Sequence, residues 1–231
     1  MSTFRAIPHA SANPNAGPTA GRDGRGSRVL AATIIAALIA GLIALLIGNA
    51  AAGAQIGQPA PDFTALDSKG NTVQLSAFRG KTVVLEWTNA DCPYTRKHYA
   101  SGNMQSVQGL AQKDGIVWLT VISSAPGKQG YVNGAQADFL TESRKAAPTA
   151  VLLDPAGAVA HLYAAKTTPH MYVVDKNGVL QYMGGMDSIA TAAESDIARA
   201  EPYLKEAMLA VAQGNPAPHP ETKPYGCSIK Y

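Results

Sequence analysis

Four short runs of consecutive apolar, largely β-branched residues constrain this chain more than any other feature. They span 81–87 (Lys-Thr-Val-Val-Leu-Glu-Trp), 116–122, 150–153 and 171–174. Continuous apolar runs of this length suit strands covered on both faces, whereas a half-exposed strand would alternate. The stretches between them read as helices at 92–112, with an interruption at Ser101-Gly102, at 136–146 and at 158–163. Buried strands alternating with helices specify an α/β layer protein. A closing hairpin, 171–174 and 179–183 joined through Asp175-Lys176-Asn177-Gly178, adds an antiparallel portion. At the front, strand-like pieces at 63–66 and 72–75 flank the turn residues Ser68-Lys69-Gly70-Asn71. A last helix is expected over 194–213, capped near Ser195, before a tail with four prolines at 214–231 that reads as irregular. The expected fold is therefore a central mixed β-sheet flanked by helices, with an N-terminal β-hairpin extension.

Charge narrows the function classes. Of 19 Lys+Arg and 16 Asp+Glu, Arg5, Arg22, Arg25, Arg28 and Asp23 lie before Gln55. That leader carries the whole net charge of +3, and the remainder, with 15 of each sign, is neutral. No basic run interleaved with aromatics is present, so the electrostatic footprint of nucleic-acid binding is missing. A hydrophobic content of 46% excludes global disorder. Two cysteines exclude a disulfide-dense miniprotein and a four-cysteine zinc site.

The leader itself has a basic flank, an apolar run of 19 residues at 29–47 broken only by Thr33 and Gly41, and Ala52-Gly53-Ala54. These features read as a secretory signal cleaved near Gln55, or as a retained anchor tethering the chain to the inner membrane. Either reading exports the rest, to the periplasm or the extracellular space. The expected organisation is an export segment with a disordered extension at 1–54, a folded domain at 55–213 and the tail at 214–231.

The chemistry is concentrated after the first buried strand, in Trp87-Thr88-Asn89-Ala90-Asp91-Cys92-Pro93-Tyr94-Thr95-Arg96-Lys97. A proline at the first helical position loses no hydrogen bond, which places Cys92 at the N-cap. There the helix dipole and free N–H groups favour a thiolate, and Arg96 or Lys97 is expected to approach the sulfur. Thr88 and Asn89 would lie in the loop near it. The only other thiol is Cys227, in the tail.

Pro59-Ala60-Pro61-Asp62-Phe63, Phe78-Arg79-Gly80-Lys81, the strand leading to Cys92-Pro93, and Thr167-Thr168-Pro169-His170 before a strand together resemble the thioredoxin-like superfamily. The resemblance is to its peroxiredoxin-like, alkyl hydroperoxide reductase/thiol-specific antioxidant branch, over about 55–213. It implies a thioredoxin-like fold, Cys92 as the reactive thiol and Pro169 as a cis-proline facing it. Pro93, Thr95 and Thr168 would then border the substrate pocket. The chain departs from both sub-family patterns. Thr95 stands where thioredoxins carry their second cysteine, and Leu85 and Asn89 stand where typical peroxiredoxins carry Pro and Thr.

The implied activity is an antioxidant thiol oxidoreductase acting on a peroxide or protein disulfide, regenerated by a thiol reductant protein and needing no cofactor. Cys227 is open to three readings: a resolving thiol, a structural disulfide pinning the tail in a non-catalytic binding module, or an unrelated thiol. A metal centre at Cys92 is not expected, since His98 lies six residues on, poorly placed on the same helix face. Trp87, Trp118, Met104, Met183 and Met186 read as core, and His170 as a surface residue beside the site.

Overall fold

A computed structural model describes residues 53–231 and, apart from them, Thr3 alone. The apolar run at 29–47, and the tether assigned to it, lie outside the described residues. No helix among the described residues is long and apolar enough to cross a membrane.

The apolar runs form the middle of a seven-stranded sheet. Its strands are β1 (Thr64–Asp67), β2 (Thr72–Gln74), β3 (Val83–Trp87), β4 (Val117–Ile122), β5 (Ala150–Leu153), β7 (His170–Val174) and β8 (Leu180–Gly184), ordered β2-β1-β5-β4-β3-β7-β8. β6 (Thr167–Thr168) stands apart from it. β3, β4 and β5 run parallel, with Val83 opposite Val117 and Leu119 opposite Ala150. β7 lies antiparallel on the other side of β3, bringing Trp87 opposite His170, and β8 completes the closing hairpin. The front hairpin β1–β2 extends the sheet through antiparallel pairing of β1 with β5.

Period-two alternation along β3 divides the core. Leu85 and Trp87 join Leu119, Val121, Tyr163 and Tyr172 on one face. Val84 joins Trp118, Met171 and Val173 on the other, under Met104 of one helix and Leu204 and Met208 of another. The helices are α1 (Pro93–Ala100), α2 (Asn103–Lys113), α3 (Gly134–Ser143), α4 (Ala158–Leu162) and α5 (Tyr203–Ala212). α1 and α2 are separate because Gly102 adopts φ +78°, a left-handed conformation that glycine takes without steric cost. α3 begins two residues earlier than the apolar pattern suggests. Asn133 and Gln136 form a reciprocal capping box there, each side chain taking the other's backbone N–H at 2.9 Å.

Two expectations are corrected. The helix over 194–213 is broken: residues Glu194–Arg199 form a 3₁₀ turn preceded by Ala193, and α5 starts after Pro202, so Ser195 caps nothing. Proline inside a helix removes a hydrogen bond and clashes with the preceding turn, which sets the break. The tail is also not irregular throughout. It closes with β9 (Cys227–Ser228), which pairs antiparallel with β6, Thr168 opposite Cys227.

Candidate functional site

β3 ends at Trp87, and Asn89 fixes the turn that follows. Its Oδ1 accepts the Asp91 N–H at 2.9 Å, its Nδ2 donates to the Gln129 carbonyl at 3.2 Å, and its own carbonyl accepts the Cys92 N–H at 3.1 Å. Cys92 is the N-cap of α1 and Pro93 the first helical residue. Facing the sulfur is the Thr168–Pro169 segment, whose peptide bond is cis. The Cys92 thiol donates to the Thr168 carbonyl at 2.9 Å.

The tail completes this arrangement. Pairing of β9 with β6 brings the Cys227 N–H to 3.4 Å from the Cys92 sulfur, across 135 residues of sequence. Both cysteines are free thiols and are hydrogen-bonded to each other. Gly226 lies so close to β6 that a Cβ there would sit 2.0 Å from the Thr168 carbonyl oxygen, and its φ is +146°. A side chain is excluded on both counts. Under this cover Cys92 has 0% exposure, whereas Cys227 is half-buried.

Burial of Cys92 opposes its ionisation. Hydrogen bonds from the Cys227 thiol, the Thr168 side chain and the backbone N–H groups of Thr95 and Cys227 outweigh burial and hold the thiol below its ordinary value. Cys227 is shifted the other way, by burial first and then by its bond to Cys92 and the charge that Cys92 carries. Of the electrostatic support expected from Arg96 or Lys97, the Lys97 part is corrected. Arg96 is exposed and forms no ion pair among the described residues. Lys97 is 1% exposed and turns to Asp187 instead, with Nζ 3.0 Å from Oδ2.

That pair belongs to a buried polar cluster that the residue pattern does not announce. Lys97 Nζ also donates to the Ile189 carbonyl at 3.1 Å and to the Tyr225 hydroxyl at 3.3 Å. The Tyr225 hydroxyl donates to Asp187 Oδ1, which also accepts the Ile189 N–H at 3.1 Å. Burial pushes the neighbouring His98 down to about 4, against the pull of Asp187. Thr88 and Thr95 are buried, and their hydroxyls have no partner among the described residues. His170 is buried rather than superficial. Its Nδ1 accepts the Lys166 N–H at 3.2 Å, and burial lowers its pKa to about 3. At the surface, Glu201, Glu206 and His219 bring ligand atoms within 4.8 Å of one another, with His219 Nε2 already 2.7 Å from Glu201.

Residues 56–183, more than half of the chain, match the family model described as the AhpC/TSA family. The chain belongs to the AhpC/TSA family. Among curated proteins, this family member is 28% identical over 142 residues to a Synechocystis sp. protein named "Putative peroxiredoxin sll0755". That match covers 55% of this chain and 67% of the other. Two solved structures share the fold. One is an uncharacterized conserved protein from Geobacillus kaustophilus, with TM-score 0.64 and 22% identity, covering 77% of this chain and 92% of that one. The other is a hypothetical protein from Sinorhizobium meliloti, with TM-score 0.64 and 20% identity, covering 77% and 94%. The fold is thioredoxin-like and the family peroxiredoxin-like, as the sequence resemblance implied.

Proposed function

We propose that this chain is an exported, antioxidant thiol oxidoreductase in which the Cys92 thiolate attacks a peroxide or a protein disulfide and Cys227 resolves the product. The observation that carries the reading is the contact of Cys227 with the Cys92 sulfur, at 3.4 Å from its N–H. With a peroxide, Cys92 attacks one oxygen, the O–O bond breaks, the second oxygen leaves as water or an alcohol, and Cys92 becomes a sulfenic acid. The Cys227 thiol then attacks that sulfur and expels water, closing a Cys92–Cys227 disulfide. With a disulfide substrate, Cys92 forms a mixed disulfide and releases one client thiolate. Cys227 releases the second. In both cases two electrons pass to the substrate and a thiol reductant protein returns them, so no cofactor is required.

The opposed pKa shifts give the two thiols an order. Cys92 ionises first. Part of what holds Cys227 protonated is its bond to Cys92 and the Cys92 charge, and both change when Cys92 becomes a neutral sulfenic acid. In the disulfide, the lower-pKa Cys92 is the better leaving group, so reductant attack is directed to the more accessible Cys227. Asn89 shapes the loop, while Pro93, Thr168 and Pro169 wall the sulfur. Thr88 and Thr95 border the site with buried hydroxyls that have no partner among the described residues. The leader at 1–54 would deliver the domain to a compartment where such a disulfide persists.

The test is intact mass after one equivalent of peroxide. The chain should lose two hydrogens, Cys227→Ser should gain one oxygen instead, and Cys92→Ser should do neither. Turnover that survives Cys92→Ser overturns the reading and leaves the contact as a pin on the tail.

A further inference from the structure

The tail is fastened along its length, by the Thr222 N–H to the Met183 carbonyl at 3.1 Å, the Ile229 N–H to the Lys166 carbonyl at 3.2 Å and the Ala125 N–H to the Lys230 carbonyl at 2.8 Å, and beside Cys92 itself it is held at two points. One is the β6–β9 pairing. The other is the polar cluster around Tyr225, two residues upstream of Cys227, and its geometry is more restrictive than the strand. Lys97 is in the second turn of α1, the helix whose N-cap is Cys92, so its distance from the reactive sulfur is set by a regular helix and not by a loop. Asp187 offers one carboxylate oxygen to Lys97 and the other to the Tyr225 hydroxyl, which fixes Tyr225 in one orientation. The Tyr225 ring also meets the Tyr94 ring edge-on, with centroids 5.8 Å apart. Gly226 then crosses directly over Thr168 with no room for a Cβ, so there is no slack between the Tyr225 anchor and the Cys227 thiol.

We infer that Lys97, Asp187 and Tyr225 are positioning residues, forming a latch that shields Cys92 from solvent and keeps Cys227 aligned to resolve it. The inference rests on the reading of Cys92 and Cys227 as the redox pair. A buried ion pair is a poor way to add stability, because apolar residues of similar volume commonly do as well. What the charged pair adds here is direction: two acceptor oxygens and three Nζ donors specify where the tail lies. The latch therefore acts on the two chemical steps in opposite senses. A substrate must reach a sulfur with 0% exposure, so attack by Cys92 requires the tail to lift. Closure of the disulfide requires the tail to be down. The sequence of events is a lifted tail, oxidation of Cys92, return of the tail and bond formation between the sulfurs with loss of water or of the client thiolate.

Loosening the latch should speed the first step and slow the second, a split that a general loss of stability does not produce. The test uses the full chain with Tyr225→Phe, which deletes the hydroxyl and leaves the Lys97–Asp187 pair intact. Gly226→Ala serves as a second variant acting through the Thr168 contact. Urea midpoints establish that both are folded. Native alkylation, followed by peptide mapping, gives the rate at Cys92. Dimedone trapping after stoichiometric peroxide gives the sulfenic acid lifetime. In Tyr225→Phe, Cys92 alkylation should rise about tenfold and the sulfenic acid should persist about tenfold longer, the scale of one lost hydrogen bond to a charged partner. Gly226→Ala should move both rates in the same directions. Rates unchanged in both folded variants, or attack and resolution shifted in the same sense, overturn the latch. A wild-type chain that never forms the Cys92–Cys227 disulfide overturns the redox-pair reading itself, and the latch with it.

Discussion

Glu86 and Asp187 are both buried carboxylates, and the protein treats them in opposite ways. Glu86 is 0% exposed in the middle of β3, and its oxygens accept from Tyr99, Trp118 and Thr120 at 2.8, 2.8 and 3.1 Å. It has no ion pair among the described residues; Arg144, the nearby cation, lies over the Tyr99 ring, 4.8 Å from its centroid. Burial dominates and raises its pKa despite the three donors. Asp187 is satisfied by a cation, Lys97, and by a residue of the tail. The difference separates two uses of a buried acid. One fastens side chains within a sheet face that is already continuous. The other joins α1, the segment after β8 and the tail, which have no backbone pairing with one another among the described strands.

The sharpest way to break this comparison is Lys97→Met. It strands a buried carboxylate and should cost about 3–5 kcal/mol in urea unfolding, most of it recovered by adding Asp187→Leu. If the double variant is as unstable as the single one, the charge pairing is not what matters there. Glu86→Gln should cost only about 1 kcal/mol, because an amide can keep accepting from Trp118 and Thr120 while donating to the Tyr99 oxygen.

The pH dependence gives Glu86 a second signature. Its folded pKa is raised, so between the unfolded and folded values the native state holds a proton that the unfolded state has lost. Stability is highest below the ordinary carboxylate range and falls as pH rises toward the folded value. Glu86→Gln should flatten that part of the stability–pH curve, which urea midpoints taken at several pH values will show. A slope unchanged by the substitution assigns the effect to another group. The smallest expected effect is at Arg96. Exposed and unpaired among the described residues, its replacement by Ala should change the Cys92 alkylation rate by less than about twofold, since an exposed charge acts weakly through water. A larger drop would restore it to the site.

What was legible in the sequence follows the range over which each interaction acts. β3, β4, β5 and β7 announce themselves because a doubly covered strand must be apolar at every position, a purely local requirement. The N-cap position of Cys92 is equally local, since Pro93 marks the helix start. Pro202 also carries the break before α5, although the apolar spacing across 194–213 conceals it. The second half of the site is different. The approach of Cys227 to Cys92 spans 135 residues and passes through a proline-containing tail with no period to read. Lys97 reads as a cation for the Cys92 sulfur because its actual partner, Asp187, lies 90 residues away. His170 is a different case: its partners Tyr172 and Lys166 are two and four residues away, and what hides its burial is that a histidine beside a proline carries no apolar signal of its own.

The pairing of β9 with β6 also bears on the order in which the protein becomes complete. Translation supplies Cys92 long before Cys227, and for all of that interval the chain carries a single thiol with no partner. The N-cap of α1 and every strand of the central sheet precede residue 214 in the sequence, whereas the cover over the sulfur follows it. A product shortened anywhere before Gly226 would therefore lack the cover over Cys92 and the pairing partner of Thr167 and Thr168. The same two residues that cover the sulfur thus also close the edge of Thr167 and Thr168, so one short pairing protects a side chain and a backbone at once.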